Sequence, residues 1–151
     1  MPTLAKLLSD HLEGRVTLVS TIADCFARYR AHGDDAIFIA IRAEQDVLAE
    51  AAKLQEEGPR GRRLWGVPVA VKDNIDVAGL PTTAACPAYA YSPTLDASAV
   101  ARLRAEGAII IGKTNLDQFA TGLNGTRSPF GVPKNTLRAD LVPGGSSSGS
   151  A

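Results

Sequence analysis

Hydrophobic positions along the chain switch between helical and strand spacing. Apolar residues three or four positions apart extend over residues 2–32, 42–57 and 96–106, which predicts helices. Two short apolar runs rich in β-branched residues, at 36–41 and 108–111, predict buried strands instead. Strands that alternate with helices predict an α/β layer fold with a mainly parallel or mixed sheet flanked by helices. The apolar positions that define the helices are Leu4, Leu7, Leu8, Val19, Ile22, Phe26, Tyr29, Val47, Ala51, Leu54, Val100 and Leu103.

Glycine and proline mark where the predicted helices end. Gly14 divides the first helical region into a pair of helices, and Gly58 followed by Pro59 ends the next region. Gly107 is predicted to take the left-handed position that closes the third.

The remaining segments complete the predicted organisation. Residues 115–121 are predicted to form a short helix with Asp117 in its first turn. Residues 73–95 have little periodicity, and ordered loops of that length are often functional. We expect a helical preamble with one strand over residues 1–65 and a single, incomplete core domain over residues 66–151.

Residues 66–74 contain an apolar run that ends in a single lysine, Lys72. A buried strand here would carry Lys72 out of bulk water, where desolvation lowers a lysine pKa and makes the amine a candidate base. Pro68 must lie at the strand start or on an edge, because it donates no ladder hydrogen bond. The residues expected to bury this strand are Val67, Val69, Ala70 and Val71.

Charge balance and the lengths of the apolar runs argue against binding to nucleic acid or to a membrane. The 151 residues are 45% hydrophobic, and 16 basic residues balance 16 acidic ones, so no net charge favours nucleic acid or an anionic membrane. The longest apolar runs fall far short of the roughly 20 residues that a membrane helix needs. Asp10 and His11 interrupt the N-terminus before a secretory segment could form. A cytoplasmic location is therefore expected. The basic cluster Arg60, Arg62 and Arg63 is interpreted as a solvated loop.

Cysteine and histidine usage argues against a metal site or a disulfide framework. Cys25 and Cys86 are far apart without a CxxC pattern, so ordinary reduced thiols are expected. His11 and His32 lie beside charged residues and are predicted to be on the surface.

Residues 107–114 match the phosphate-binding expression GxxxxGK[ST], but the context is wrong. That expression needs a preceding strand and an interior loop whose amides wrap phosphates. Here a predicted helix precedes it, and its interior contains three isoleucines suited to a sheet core. We therefore interpret Gly107 as a helix cap and Gly112 as a strand exit.

The glycine–serine loop, residues 143–151, has the composition of a flexible linker. The residues before it, 124–131 and 140–143, mix proline, aromatic and charged residues with glycine, which favours an ordered loop. A serine hydroxyl becomes a useful nucleophile only when a base takes its proton, and a desolvated lysine can do so without histidine. A Ser/Lys acyl-transfer site is the resulting hypothesis.

Three ordered motifs resemble the amidase signature family: GVPVAVKDNI at 66–75, GKTNLDQFATG at 112–122 and PGGSSSGSA at 143–151. Within that family, TTAACPAYAY at 82–91 and NGTRSPFG at 124–131 are most similar to the branch that hydrolyses allophanate, the carboxylated form of urea.

The resemblance implies a Ser/cis-Ser/Lys triad. Lys72 matches the family lysine, and Ser146 matches the bridging serine that follows a cis peptide bond. The family's nucleophilic serine is expected beyond Ala151. Thr121, Gly122 and Arg127 are candidates for the substrate wall, because a small anionic substrate favours a cation and close backbone. For Arg127, a structural role in bracing the loop is an equally good interpretation.

The implied reaction hydrolyses allophanate, a small-molecule amide made by a biotin-dependent urea carboxylase, to ammonia and carbon dioxide. No nucleic-acid, membrane or cofactor partner is implied, and the full-length protein is compatible with a homodimer. We expect the 151-residue chain to be inactive alone, and to aggregate or borrow a partner if it exposes an unpaired sheet edge. The alternatives are an amidotransferase A subunit, another amidase of the family and an inactive truncated remnant.

Overall fold

The computed structural model describes residues 3–138 and 140–151. Pro2, where the first helical region was predicted to begin, lies outside them. Four helices and three strands follow one another in the order expected of an α/β protein. They are α1 (Leu4–Leu12), α2 (Leu18–His32), β1 (Phe38–Ile41), α3 (Glu44–Glu57), β2 (Pro68–Lys72), α4 (Ser98–Ala105) and β3 (Ile109–Thr114). Single 3-10 turns occupy Asp35–Ile37, Pro87–Tyr89, Gln118–Ala120 and Ser148–Ser150.

The three strands described form one mixed sheet, as predicted, and their order in it is β1-β3-β2. β1 is antiparallel to β3, with Phe38 opposite Thr114. β2 runs in the same direction as β3, since the Ile109 amide donates to the Val67 carbonyl and the Asp73 amide to the Thr114 carbonyl. All six residues of β3 are buried, as expected for the central strand.

The edge strand differs in part from the prediction. Pro68 is the first residue of β2, where its missing N–H costs no ladder bond. Val71 is buried, but Ala70 is exposed, so β2 is not the fully buried strand expected from its apolar run. Gly112 lies inside β3 rather than at the predicted strand exit. Only glycine fits there, since a Cβ would come within 2.5 Å of the Ala40 carbonyl oxygen of β1.

The chain forms two compact units that interleave along the sequence. The first comprises residues 1–32, 42–69 and 98–111, and the second comprises residues 33–41, 70–97 and 112–151. The separate division at residue 66 that the sequence suggested stays a prediction.

In the first unit, α2 packs against α3 through the residues that gave the helical pattern. Ile22 and Val47 are completely buried, and the Gln55 side chain accepts a hydrogen bond from the Leu18 amide at 2.9 Å. Gly58, with φ of 76°, follows the last residue of α3, and Gly107, with φ of 88°, follows α4 as predicted.

His11 is buried, which corrects the predicted surface position. Its Nδ1 lies 3.1 Å from the Trp65 carbonyl oxygen and its Nε2 lies 2.8 Å from Thr21 Oγ1. A carbonyl can only accept, so Nδ1 carries the proton and Nε2 accepts from the threonine hydroxyl. Charged neighbours suggested exposure, but these two distant partners satisfy both ring nitrogens inside the first unit. His32 is exposed, as expected.

Burial lowers the pKa of His11 below its ordinary value, although the bond to Trp65 opposes the shift. The unfolded chain therefore binds a proton more readily, and the contribution of neutral His11 to stability is lost as the pH falls below about 6.5. We expect the free energy of unfolding to decrease between pH 7.5 and 5.5, and His11→Gln to flatten that slope. Denaturant titrations across this range test it. His32→Gln is the matched control and should keep the wild-type slope; an equal effect of both changes would contradict the prediction.

In the second unit, residues 115–121 do not form the predicted helix, because the side chain of Asn115 binds other segments. Its Nδ2 donates to the carbonyl oxygens of Ala36 and Gly131 at 2.9 and 3.1 Å, and its Oδ1 accepts from the Ser128 hydroxyl. A side chain that satisfies backbone groups in this way competes with helix formation. Only the 3-10 turn Gln118–Ala120 remains, so the helix prediction was wrong.

The loop over residues 73–95 has little regular structure, as predicted. One isolated bridge pairs Thr82 with Tyr91. Tyr89 contacts the rings of Tyr91 and Phe119 edge to face, with centroids 5.7 and 5.4 Å apart. Within residues 3–138 and 140–151, none of the helices combines the length and apolar character that a bilayer crossing requires.

Candidate active site

Lys72 and Ser146, 74 positions apart in the chain, meet in the second unit. Lys72 is the last residue of β2, and its Nζ donates to Ser146 Oγ at 2.7 Å. Both residues are half-buried. The peptide bond between Gly145 and Ser146 is cis, as the resemblance implied. The lysine and the serine are thus in direct hydrogen-bond contact, although their catalytic roles stay predictions.

The glycine–serine loop is an ordered part of the second unit. The Gly149 amide donates to the Asn115 carbonyl at 3.0 Å, and Ser150 Oγ lies 3.0 Å from Thr114 Oγ1. A Cβ on Gly149 would come within 2.2 Å of the Ile37 carbonyl oxygen. Ser148 is buried, and its hydroxyl has no hydrogen-bond partner among the described residues. Contacts this close favour a fixed loop over the linker interpretation.

Asp117 lies directly against the loop that carries Ser146. Its backbone N–H donates to the Ser146 carbonyl at 2.9 Å. Its side chain is completely buried and accepts from the backbone amides of Gly125 and Arg127 at 3.0 and 2.8 Å. One residue therefore binds both the serine and the neighbouring loop.

A buried ion pair lies immediately beyond Lys72. Asp73 Oδ1 is 3.1 Å from Lys113 Nζ, and neither side chain is exposed. Asp73 Oδ2 accepts from the Thr83 amide and hydroxyl, while Lys113 Nζ also donates to Thr82 Oγ1 and the Pro81 carbonyl, both at 3.0 Å. Hydrogen bonds to both partners are what a buried ion pair needs to offset its desolvation.

The network continues towards the surface. Thr82 Oγ1 donates to Asp76 Oδ1 at 2.8 Å, and the Tyr91 hydroxyl donates to the same oxygen at 2.7 Å. These hydrogen bonds, led by the one from Tyr91, hold the pKa of Asp76 below its usual value. Asp76 is therefore ionised at neutral pH and anchors the threonine that Lys113 contacts.

The contacts of Lys113 exclude a phosphate-binding role for residues 107–114. The isoleucines of residues 107–114 lie in β3, and the Lys113 amine is enclosed by its ion pair with Asp73. No phosphate can reach an amine that is not exposed. Among the described residues, no group of three His, Cys, Asp or Glu side chains could hold a metal ion, and Cys25 and Cys86 are free thiols.

The three substrate-wall candidates have different environments. Thr121 and Arg127 are exposed, and the arginine Nη1 donates to the Thr121 carbonyl at 3.2 Å, as a bracing residue would. Gly122 is buried and faces the carboxylate of Asp117. Contact with a substrate stays a prediction for all three.

The amidase family model matches residues 21–151. The chain therefore belongs to the amidase family, as its three motifs implied. The α/β architecture agrees: the chain superposes on the allophanate hydrolase of Kluyveromyces lactis with a TM-score of 0.83 and 42% identity, over 99% of this chain and 25% of that one.

Two relatives show how the similarity divides. Urea amidolyase of Saccharomyces cerevisiae is 53% identical over 118 residues, which are 78% of this chain and 6% of the relative. The A-type subunit of the glutamyl-tRNA(Gln) amidotransferase of Chlorobium limicola is 41% identical over 149 residues, which are 96% of this chain and 31% of the relative. The chain thus spans less than a third of the length of each relative.

Sequence reasoning missed the supporting residues of the site. Asp117 was assigned to a helix turn, and neither Asp73 nor Lys113 was given a role. Two signals were available. Asp73 lies directly after Lys72, and Lys113 lies inside an apolar strand, where burying its charge is costly unless a counter-charge is present.

Proposed function

We propose that this chain supplies the lysine and the bridging serine of an amide-hydrolysing Ser/Ser/Lys relay. The observation that carries the proposal is the 2.7 Å contact between Lys72 Nζ and Ser146 Oγ. Membership of the amidase family supports the reaction class.

The relay moves protons in one direction and then returns them. Lys72 withdraws the proton of Ser146, which deprotonates a nucleophilic serine outside the described residues as that serine attacks the amide carbonyl. Collapse of the tetrahedral intermediate breaks the C–N bond and releases ammonia, which takes the relayed proton. Water then cleaves the acyl-enzyme by the same relay.

Allophanate is the substrate that the similarities favour. One relative is named an allophanate hydrolase and another a urea amidolyase, and hydrolysis of allophanate would yield ammonia and carbon dioxide. The exposed guanidinium of Arg127, close to Thr121 and Gly122 in the chain, would supply a cation for the carboxylate. A biotin-dependent urea carboxylase would supply the substrate, in a cytoplasmic setting, to an enzyme that could assemble as a homodimer.

A second candidate is the ammonia-releasing component of an amidotransferase. The similarity to the Chlorobium limicola protein extends over 96% of this chain, a larger share than the match to the Saccharomyces cerevisiae urea amidolyase covers. Glutamine would then replace allophanate as the amide, while the roles of Lys72 and Ser146 would be unchanged.

A chimera tests both candidates. In it, this chain replaces the matching quarter of the Kluyveromyces lactis allophanate hydrolase, and the remainder of that enzyme is expected to supply the nucleophile. We expect ammonia release from allophanate and none from glutamine above background. Release from glutamine alone would favour the amidotransferase, and release from neither would contradict the proposal. The isolated 151-residue chain is the control and should be inactive; activity that Lys72→Ala removes would place the nucleophile within it.

A further inference from the structure

Asp117 is a fully buried carboxylate that takes no part in the proposed relay. We propose that it is the positioning residue that holds Ser146 at its distance from Lys72. The inference rests on the proposed function for its catalytic meaning, while the positioning itself is a property of the folded chain.

Asp117 forms hydrogen bonds with two segments, the loop that carries Ser146 and the loop at 124–127. Its backbone amide binds the carbonyl of Ser146, which fixes that serine relative to the end of β3. Its carboxylate oxygens each accept one backbone amide, from Gly125 and Arg127. Both oxygens are thereby engaged, so the side chain of Asp117 ties the loop at 124–127 to the residue that binds Ser146.

Close packing makes the same carboxylate a spacer. A Cβ on Gly145 would lie 2.3 Å from Asp117 Oδ2, next to the cis bond that precedes Ser146. A Cβ on Gly122 would lie 2.3 Å from Cγ, and its three nearest atoms all belong to this carboxylate. The two glycines therefore leave room for Asp117, and the side chain contacts the residue that enters the cis bond.

This packing gives Gly122 a structural reason that the substrate-wall prediction lacked. Its φ is not in the left-handed region, so an alanine could adopt the backbone conformation there. The three atoms that a methyl group there would meet first all belong to the Asp117 carboxylate. Gly122→Ala consequently displaces Asp117 without changing any hydrogen-bonding group, whereas Asp117→Asn replaces an acceptor with a donor without changing the volume.

The first test is hydrogen exchange in the full 151-residue chain. Asp117→Asn turns an amide NH₂ towards the N–H of Gly125 or Arg127, and we expect exchange at 124–127 and 145–150 to accelerate roughly 10- to 100-fold. Exchange in α2 and α3 should be unchanged, which shows that the first unit is still folded. Gly122→Ala should accelerate the same amides. Unchanged exchange at 145–150 in both variants would overturn the proposal.

The second test separates positioning from general stability through kinetics. In the chimera, Asp117→Asn and Gly122→Ala should each lower kcat about 100-fold, because the serine moves away from the lysine. Asp140→Asn, which changes an exposed carboxylate in the same unit, is the matched control and should have wild-type kinetics. A rise in KM at constant kcat would overturn the proposal.

A double variant adds an internal check. If Gly122→Ala acts by displacing the carboxylate, its effect should nearly disappear once Asp117→Ala has removed that carboxylate. Additive losses would contradict the inference. Failure of the proposed function is distinguishable, since an inactive wild-type chimera leaves the exchange experiment intact. Activity that Lys72→Ala abolishes and Asp117→Asn preserves would reject the positioning role alone.

Discussion

Replacement of Lys72 by alanine should lower amide hydrolysis by the chimera about 10²- to 10⁴-fold, which is the range that one general base contributes. Ser146 would then have no group to take its proton, because the hydroxyl contacts this amine at 2.7 Å. Ammonia release under saturating allophanate measures the effect, which should appear mainly in kcat.

The same experiment contains its own controls. Ser146→Ala should cause a comparable loss, and the variant with both changes should be no worse than either single change, since the two residues act as one relay. Lys53→Ala removes an exposed lysine of α3 and should have no effect. A Lys72→Ala chimera within tenfold of wild type would be incompatible with a proton relay through this lysine.

The largest effect on stability is expected at the buried ion pair. Lys113→Met removes the only ion-pair partner of Asp73 among the described residues and leaves a carboxylate in a site with no exposed surface. Breaking a buried pair on one side typically costs roughly 3–5 kcal/mol, because the remaining charge stays desolvated. Urea denaturation of the full chain, followed by circular dichroism, should show a lower midpoint.

Removing both charges should restore much of that loss. In the variant with Lys113→Met and Asp73→Asn, no charge stays buried, and the asparagine Oδ1 can still accept from Thr83. Arg138→Met, in an exposed pair with Asp140, is the matched control and should leave the midpoint unchanged. If the double variant were as unstable as Lys113→Met alone, the uncompensated charge could not be the cause.

The sequence predicted most elements because local patterns determined them. The isoleucines of β3 have no polar face, so they could only form a central strand, and Gly107 closes the helix before them. Pro68 was predicted to lie at a strand start or on an edge, and it is the first residue of the edge strand β2.

The contact between Lys72 and Ser146 could be expected only from the family motifs, because 74 residues separate the two. No local periodicity carries that information. The failures have a common cause in long-range polar contacts. Asn115 bonds to residues up to 79 positions away and thereby replaces the predicted helix. His11 is buried because Trp65, 54 positions away, offers its carbonyl.

Trp65 has a further consequence for experiments on this chain. It is the single tryptophan of the sequence, it lies in the first unit, and its indole donates to the Leu54 carbonyl at 3.1 Å while only 7% of the residue is exposed. Its intrinsic fluorescence is therefore a built-in optical reporter for the unit that lacks Lys72 and Ser146. Comparing emission with amide signals from the glycine–serine loop would show whether the unit that contains Lys72 and Ser146 unfolds before, with or after the unit that contains Trp65.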